Sequence, residues 1–178
     1  MVCRRRWWPL ILGVVELHFR LAEPADGAFI AGVQNEAIPG GRVTAQTEPY
    51  TAQERTAWLA THAAAQRPVF IAELAGEPVG MLSLSDWHPR QAYAITAEIS
   101  VYLSKTYQGQ GLGRQILTFA DDAARQCGIE VLLAVIYHVN APSLALFAKA
   151  GYAQWGYLPH VARHAEGPRD ICILGKRL

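Results

Sequence analysis

The sequence has little net charge, few cysteines and no long apolar run. Lysine and arginine together number 16 and aspartate and glutamate 15, so the formal net charge is only +1. Such a chain offers no broad field that would attract nucleic acid or an anionic lipid surface. An anionic ligand must therefore be held by a local set of donors. We expect a small-molecule partner, and neither nucleic acid nor a membrane.

The three cysteines argue against a disulfide framework and against a metal site. Cys3, Cys127 and Cys172 are odd in number and far apart in the chain. None forms a CxxC pair or a metal-ligand spacing with histidine. A reduced, cytoplasmic protein without a metal is the simplest interpretation.

The longest apolar stretch lies near the N-terminus and is too short to cross a bilayer. Arg4, Arg5 and Arg6 precede an apolar run over residues 7–15 that contains Pro9, whereas a spanning helix needs about 20 apolar residues. The run imitates a secretory signal, but no small-residue cleavage pattern follows it. We interpret residues 1–16 as an N-terminal extension and residues 17–178 as one domain, long enough for a sizeable core.

Helical and strand signals alternate along the rest of the chain. They predict the order βα(α)βββαβαβ, which is an α/β (α+β) fold with a mixed sheet and helices on both faces. Thr51 and Glu54 form a capping-box pattern at the start of the second helix. The predicted strands cover residues 17–21, 69–74, 78–84, 94–103, 131–139 and 171–174, and the predicted helices 24–38, 52–66, 112–127 and 142–150.

The strand predicted at residues 94–103 has two unlike faces. Its odd positions are apolar and its even positions can hydrogen-bond, a period of two that is typical of a strand. The polar set therefore lies on one face of the sheet. It comprises Thr96, Glu98, Ser100 and Tyr102.

Residues 108–113 join this strand to the helix predicted at 112–127. Gly109, Gly111 and Gly113 let the backbone approach a ligand closely. The helix adds unpaired N–H groups and the positive end of its dipole, which together suit a pyrophosphate. The loop does not follow the first strand and lacks GK[ST], so it is neither a dinucleotide fingerprint nor a nucleoside-triphosphate loop. A glycine pattern alone would also fit a tight turn.

The sequence Gln108-x-x-Gly111-x-Gly113 resembles the [QR]-x-x-G-x-[GA] signature of the GNAT superfamily of N-acetyltransferases. Residues 17–178 further resemble the phosphinothricin acetyltransferase group, which includes acetyltransferases of methionine sulfone and methionine sulfoximine. The matching stretches are Asn35–Ile38, Glu54–Arg55 with Trp58, Arg90-x-Ala92–Tyr93, Thr96–Glu98, Val101–Leu103, Gly128, Asn140-x-x-Ser143, Gly151–Tyr152 and Asp170. The resemblance implies a GNAT fold, in which a splayed strand pair binds acetyl-CoA, and a homodimer.

The resemblance also implies which residues hold the cofactor. Backbone groups of residues 101–103 would pair with the pantetheine arm like an added strand, residues 109–114 would hold the pyrophosphate, and Asn140 would bond the arm. The cofactor-binding set is then Val101, Tyr102, Leu103, Gln108, Gly109, Gln110, Gly111, Leu112, Gly113, Arg114, Asn140 and Ser143.

Acetyl transfer to an amine needs a base, and Glu98 is the candidate. It lies on the polar face of the central strand, close to where the acetyl group is expected, and could act through water. The alternative is a structural carboxylate bonded to Tyr102, Arg90 or a backbone N–H. The proton donor is open, because Phe147 stands where the group usually has histidine and cannot donate. Tyr102 and Ser143 are the candidates.

A pocket for a small amino-acid carboxylate is predicted at Arg90, Tyr93 and Thr96, because arginine grips such an anion with two donors. A surface arginine beside a core tyrosine is the alternative. His62 and His138 are interpreted as structural.

These observations lead to an enzyme that moves an acetyl group from acetyl-CoA to the amine of a small amino acid or analogue, of the phosphinothricin, methionine sulfone or methionine sulfoximine type. Two alternatives stay open. One is acetylation of a different amine, such as a polyamine, an aminoglycoside or a protein N-terminus. The other is a non-catalytic acetyl-CoA-binding module.

Overall fold

A seven-stranded mixed sheet organises the chain. The computed structural model describes residues 16–62 and 64–178, and the strand order is β1-β2-β3-β4-β5-β7-β6. Every neighbouring pair is antiparallel except β4 and β5, which run parallel. The strands are β1 (His18–Leu21), β2 (Val69–Leu74), β3 (Glu77–Asp86), β4 (Thr96–Leu103), β5 (Val131–Tyr137), β6 (Ala153–His164) and β7 (Gly167–Arg177).

Helices cover both faces of this sheet, as the sequence predicts. They are α1 (Gly27–Asn35), α2 (Ala52–Leu59), α3 (Leu112–Gln126) and α4 (Ala141–Lys149). The larger core cluster joins α3 to one face, with Ile116 and Leu117 against Leu82 and Leu132. None of the helices in the described ranges is long and apolar enough to cross a membrane.

The opposite face carries α1 and α2. Ile30 and Val33 of α1 form a second core cluster with Ile71 and Met81 of the sheet. The capping box at the start of α2 is confirmed, since the Thr51 side chain accepts from the Glu54 N–H and the Glu54 carboxylate accepts from the Thr51 N–H. Both helices therefore pack over the half of the sheet formed by β2, β3 and β4.

The first two helices are shorter than the sequence predicts. Helix α1 ends at Asn35 instead of residue 38, where Pro39 disfavours continuation. Helix α2 ends at Leu59 instead of residue 66, because the side chains of Thr61 and His62 bond the carbonyl of Trp58. The prediction that Ala63 belongs to this helix falls outside the described residues, as do residues 1–15 of the predicted extension.

The order of elements predicted from the sequence has six strands and lacks β6, so the prediction was wrong by one strand. Strand β6 (Ala153–His164) lies at the edge of the sheet and is mostly exposed, so its two faces do not differ in polarity. Gly156 and Pro159 also have low strand propensity. The periodicity that identified β4 was therefore missing at β6.

Candidate active site

Strands β4 and β5 separate halfway along their length. Their parallel pairing is confined to Thr96–Val131, Ala97–Leu132 and Glu98–Leu133. Beyond Glu98, β4 continues to Leu103 without a recorded partner on the β5 side within the described chain. The result is a free backbone edge inside a sheet, which can pair with an extended molecule that carries amide groups.

A cleft lies in the gap between the two strands. Its floor comes from β4 and β5, one side from the loop after α1, and the other from the start of α4. The lining residues are Val43, Ile99, Ser100, Val101, Tyr102, Ala134, Val135, Ile136, Asn140, Ser143 and Phe147. Four of the residues predicted to bind the cofactor (Val101, Tyr102, Asn140 and Ser143) therefore meet at one cleft.

Glu98 lies at the point where the strands diverge, as the last residue of β4 that pairs with β5. Burial raises the pKa of its carboxyl above the ordinary value. Within the described ranges, neither Tyr102 nor Arg90 donates a hydrogen bond to this carboxylate, so the structural alternative through those two side chains has no support. A half-buried carboxylate with a raised pKa suits proton transfer near neutral pH.

Tyr102 lies four residues beyond Glu98 in β4, so both side chains project from the same face of the sheet. Its side chain packs against the core cluster under α1 and α2. Burial raises the pKa of the phenol, and the polar side chain of Thr44 offsets this only in part. Tyr102 is therefore a neutral group at the cleft that can donate a proton in a hydrogen bond.

The glycine loop connects the end of β4 to α3. Gly109 and Gly111 have positive φ angles of 75° and 80°, and Gly111 is the N-cap of α3. The Gln108 side chain donates to the Leu103 carbonyl at 2.8 Å, which closes the loop on itself. The N–H groups of Leu112 and Gly113 precede the point at which bonds within α3 begin, and that of Arg114 donates to the Gly111 carbonyl at 3.2 Å. This arrangement can bind an anion.

Asn140 and Ser143 meet at the start of α4. The Asn140 side chain caps this helix by accepting from the Ser143 N–H at 3.3 Å, and Asn140 is buried. Phe147 lies one turn further on, buried against the ring of Tyr152 with centroids 4.9 Å apart. Phe147 therefore contributes an apolar ring to the cleft wall, at the position where related enzymes usually have a histidine that could donate a proton.

The three residues predicted to bind the substrate lie outside the lining of the cleft. Arg90 and Tyr93 are exposed in the segment before β4, where Tyr93 packs on His88. Thr96 is the first residue of β4 and pairs with Val131. Among the described residues, the cleft lining includes none of these three. Their role in substrate binding stays a prediction.

Several polar residues around the site were not identified from the sequence. Ser83 and Ser85 of β3 pair with Ser100 and Glu98 of β4. The half-buried His62 contacts Ser85. Alternation within β3 could have revealed the two serines, but their partners depend on the register between strands, which the sequence does not encode locally.

The described residues include no group of three or more histidine, cysteine, aspartate or glutamate side chains arranged to hold a metal ion.

Three features define this site as that of an acyl-transfer enzyme: a parallel strand pair that splays apart, a loop at a helix N-terminus that can bind an anion, and a half-buried carboxylate. Residues 23–152 match the acetyltransferase (GNAT) family. The chain belongs to this family and is an acetyl-CoA-dependent acetyltransferase.

Relatives agree with this assignment. The chain is 38% identical over 160 residues to YwnH of Bacillus subtilis, provisionally named a phosphinothricin acetyltransferase, covering 89% of this chain and 98% of the relative. It is 32% identical to the L-methionine sulfoximine/L-methionine sulfone acetyltransferase of Salmonella typhimurium over 142 residues, which are 80% and 83% of the two chains. A Salmonella typhimurium structure, yncA with its cofactor acetyl-CoA, superimposes with a TM-score of 0.85 at 29% identity, covering 92% and 94%.

Proposed function

We propose that this enzyme acetylates the α-amine of a small amino acid or analogue, of the phosphinothricin, methionine sulfone or methionine sulfoximine type. The observation that carries the proposal is the half-buried Glu98 at the divergence of β4 and β5, beside a cleft with a free strand edge. The substrate class is supported by the names of the relatives. We further propose that the enzyme is cytoplasmic.

The residues present fit acetyl-CoA. The free edge of residues 101–103 offers backbone groups to the amides of a pantetheine arm, and Asn140 lies on the facing wall. The loop at residues 108–114 offers N–H groups at the N-terminus of α3 for the pyrophosphate. Bound in this way, acetyl-CoA supplies an acetyl group already activated as a thioester.

Glu98 acts as the general base in this proposal. An α-ammonium with a pKa near 8 must lose one proton before it can attack, which costs only about 1.4 kcal/mol at pH 7. A carboxylate whose pKa is raised by burial is adequate for this step, directly or through a water. Tyr102 and Ser143, both in the cleft lining, are the candidate donors to the leaving sulfur.

We propose that Arg90, together with Tyr93 and Thr96, binds the carboxylate of the acceptor. Among the described residues of one chain, none of these three lines the cleft. We propose a homodimer. The exposed apolar side chains of the edge strand β6 support this proposal, since Trp155 and Val161 are 50% and 54% exposed. Light scattering of the purified protein measures its oligomeric state.

The test is a thiol-release assay with acetyl-CoA and a panel of amines. We expect turnover with methionine sulfone, methionine sulfoximine or phosphinothricin, and none with spermidine, an aminoglycoside or a peptide N-terminus. Turnover confined to the second group would replace the substrate class. Binding of acetyl-CoA without turnover on any amine would favour the non-catalytic module, for which the apolar Phe147 is the motivating observation.

A further inference from the structure

Four polar side chains form a patch on the central strands beside the cleft. Ser83 is the register partner of Ser100, and Ser85 is the register partner of Glu98. Directly opposed residues on antiparallel strands project to the same face, with Cβ atoms about 4.5–5.5 Å apart. The side chains of Ser85 and Glu98 are therefore neighbours on one face of the sheet.

His62 continues this patch toward the surface. Its Nε2 lies 3.2 Å from the hydroxyl oxygen of Ser85, and its Nδ1 lies 3.1 Å from the carbonyl oxygen of Trp58. A carbonyl can only accept, so Nδ1 carries the hydrogen and donates to Trp58. Nε2 is then unprotonated and accepts from the Ser85 hydroxyl. His62 as a residue is half-buried.

The reaction releases one proton in each turnover. An ammonium and a thioester become a neutral amide and a neutral thiol, so the nitrogen loses two protons and the sulfur takes up one. The remaining proton is left on the base, and it must reach solvent before the next cycle. Glu98 is half-buried, and burial favours its protonated form. Regeneration of the base therefore requires a route for this proton from Glu98 to solvent.

We propose that Ser85 and His62 form the exit route by which the proton taken up by Glu98 reaches solvent, an inference that rests on the proposed function of Glu98 as the base. Protonated Glu98 gives its proton to the Ser85 oxygen through a bridging water, while the Ser85 hydroxyl proton moves to Nε2 of His62. Glu98 returns to the carboxylate and Ser85 to the neutral hydroxyl. The His62 imidazolium releases one proton to solvent and returns to the neutral tautomer that donates to Trp58.

Buffer rescue tests this route. His62→Ala should lower kcat about tenfold in dilute buffer, leave KM for both substrates unchanged, and recover as imidazole is added, because a small base replaces the shuttle. Wild type and His18→Ala should not respond to imidazole. His18 is the matched control, since its side chain is 76% exposed on the edge strand β1.

Ser85 provides a second variant that leaves the end of α2 intact. Ser85→Ala should lower kcat to a similar extent, and Ser85→Thr should retain activity because the hydroxyl is kept. A kcat unchanged in both His62→Ala and Ser85→Ala overturns the route. A loss that imidazole does not restore, with KM raised, overturns it in favour of a structural role.

The tautomer provides a readout that does not depend on activity. Nitrogen-15 NMR of histidine-labelled wild-type protein should show His62 protonated at Nδ1 and unprotonated at Nε2. The opposite tautomer overturns the route even when the enzyme is active. If wild type acetylates no amine while His62 has the expected tautomer, the proposed function fails and the geometry of the route stands.

Discussion

The carboxylate of Glu36 accepts a hydrogen bond of 2.7 Å from the backbone N–H of Lys105. Its second oxygen accepts from the Ser104 hydroxyl at 3.2 Å. Glu36 directly follows α1, and Lys105 begins the turn that leads into the glycine loop. The end of α1 is therefore bonded to the turn that directly precedes the loop proposed to bind the pyrophosphate.

Glu36→Ala should raise KM for acetyl-CoA about five- to tenfold with little change in kcat. The turn that precedes the loop loses two hydrogen bonds to a charged acceptor, and such bonds contribute about 1.5–3 kcal/mol each when shielded and less near solvent. Part of the free energy of acetyl-CoA binding must then be used to order the loop, which weakens binding. Initial rates at varied acetyl-CoA measure the effect.

Glu77→Ala is the matched control for this experiment. Glu77 is exposed at the turn between β2 and β3, and its removal should leave both constants unchanged. An equal KM in Glu36→Ala and Glu77→Ala would show that the loop holds its position without Glu36.

Glu98→Gln should lower kcat on the order of 10²-fold while KM for acetyl-CoA stays constant, since general-base catalysis contributes at least that much. The same change should stabilise the fold at neutral pH. Burial raises the pKa of Glu98, so the folded state binds its proton more tightly than the unfolded state. Stability due to this group is fully present below the unfolded pKa and is lost as pH rises through the folded pKa.

Thermal melting at several pH values checks this sign. The gain in Tm of Glu98→Gln over wild type should be small below about pH 4.5, near the pKa of an unfolded glutamate, and should increase with pH. Glu130→Gln is the control because Glu130 is exposed. A gain that does not change with pH would show that the amide acts through packing and not through the lost charge.

The parts of this fold that were predictable are those with local signals. Strand β4 separates apolar from polar residues at a period of two, and the glycines after it require positive φ angles at Gly109 and Gly111. Strand β6 lacks such a contrast because both faces are exposed at the sheet edge. Its existence depends on pairing with β7, which is a long-range interaction.

The candidate site divides in the same way. Glu98 follows from its position in a strand, and Asn140 follows from the resemblance to the family motif. The contact of His62 with Ser85 does not, because it requires both the early end of α2 and the register of β3. Arg90 shows the converse case. A matching motif predicts that it binds substrate, but Arg90 is not among the residues that line the cleft.

Gly111→Ala should destabilise the protein by about 1–2 kcal/mol, because a left-handed conformation costs an L-residue with a β-carbon about that much. Gly111 has φ 80° at the N-cap of α3, and open space surrounds its missing side chain, so the penalty comes from the backbone alone. Gly111→Asn should lose less, since asparagine tolerates this region. Urea denaturation measures both, and equal losses would contradict a backbone origin.

Thr51→Ala should destabilise the protein by about 1 kcal/mol without changing kcat. Thr51 caps α2 through the Glu54 N–H at 3.2 Å, and both residues are exposed and lie outside the cleft lining. Thr51→Ser keeps the oxygen and should match wild type. A drop in kcat for Thr51→Ala would show that the end of α2, where His62 lies, is coupled to the site.

Arg169→Ala should raise KM for the acceptor amine and leave KM for acetyl-CoA unchanged. The Arg169 Nε donates to the Gly41 carbonyl at 2.8 Å, and a β-carbon at Gly41 would lie within 2.9 Å of His164 and Glu166. The β6–β7 hairpin therefore holds the loop that carries Val43 into the cleft.

Loss of this bond should also cost about 1 kcal/mol of stability, measurable by urea denaturation. Arg163→Ala is the control, because Arg163 is exposed on the same hairpin. Arg169→Lys should recover the stability only in part, since an ammonium lacks the planar geometry of the guanidinium. Unchanged acceptor KM in Arg169→Ala, with stability lowered, would show that the loop is held closed by its other contacts and that the hairpin does not shape the acceptor site.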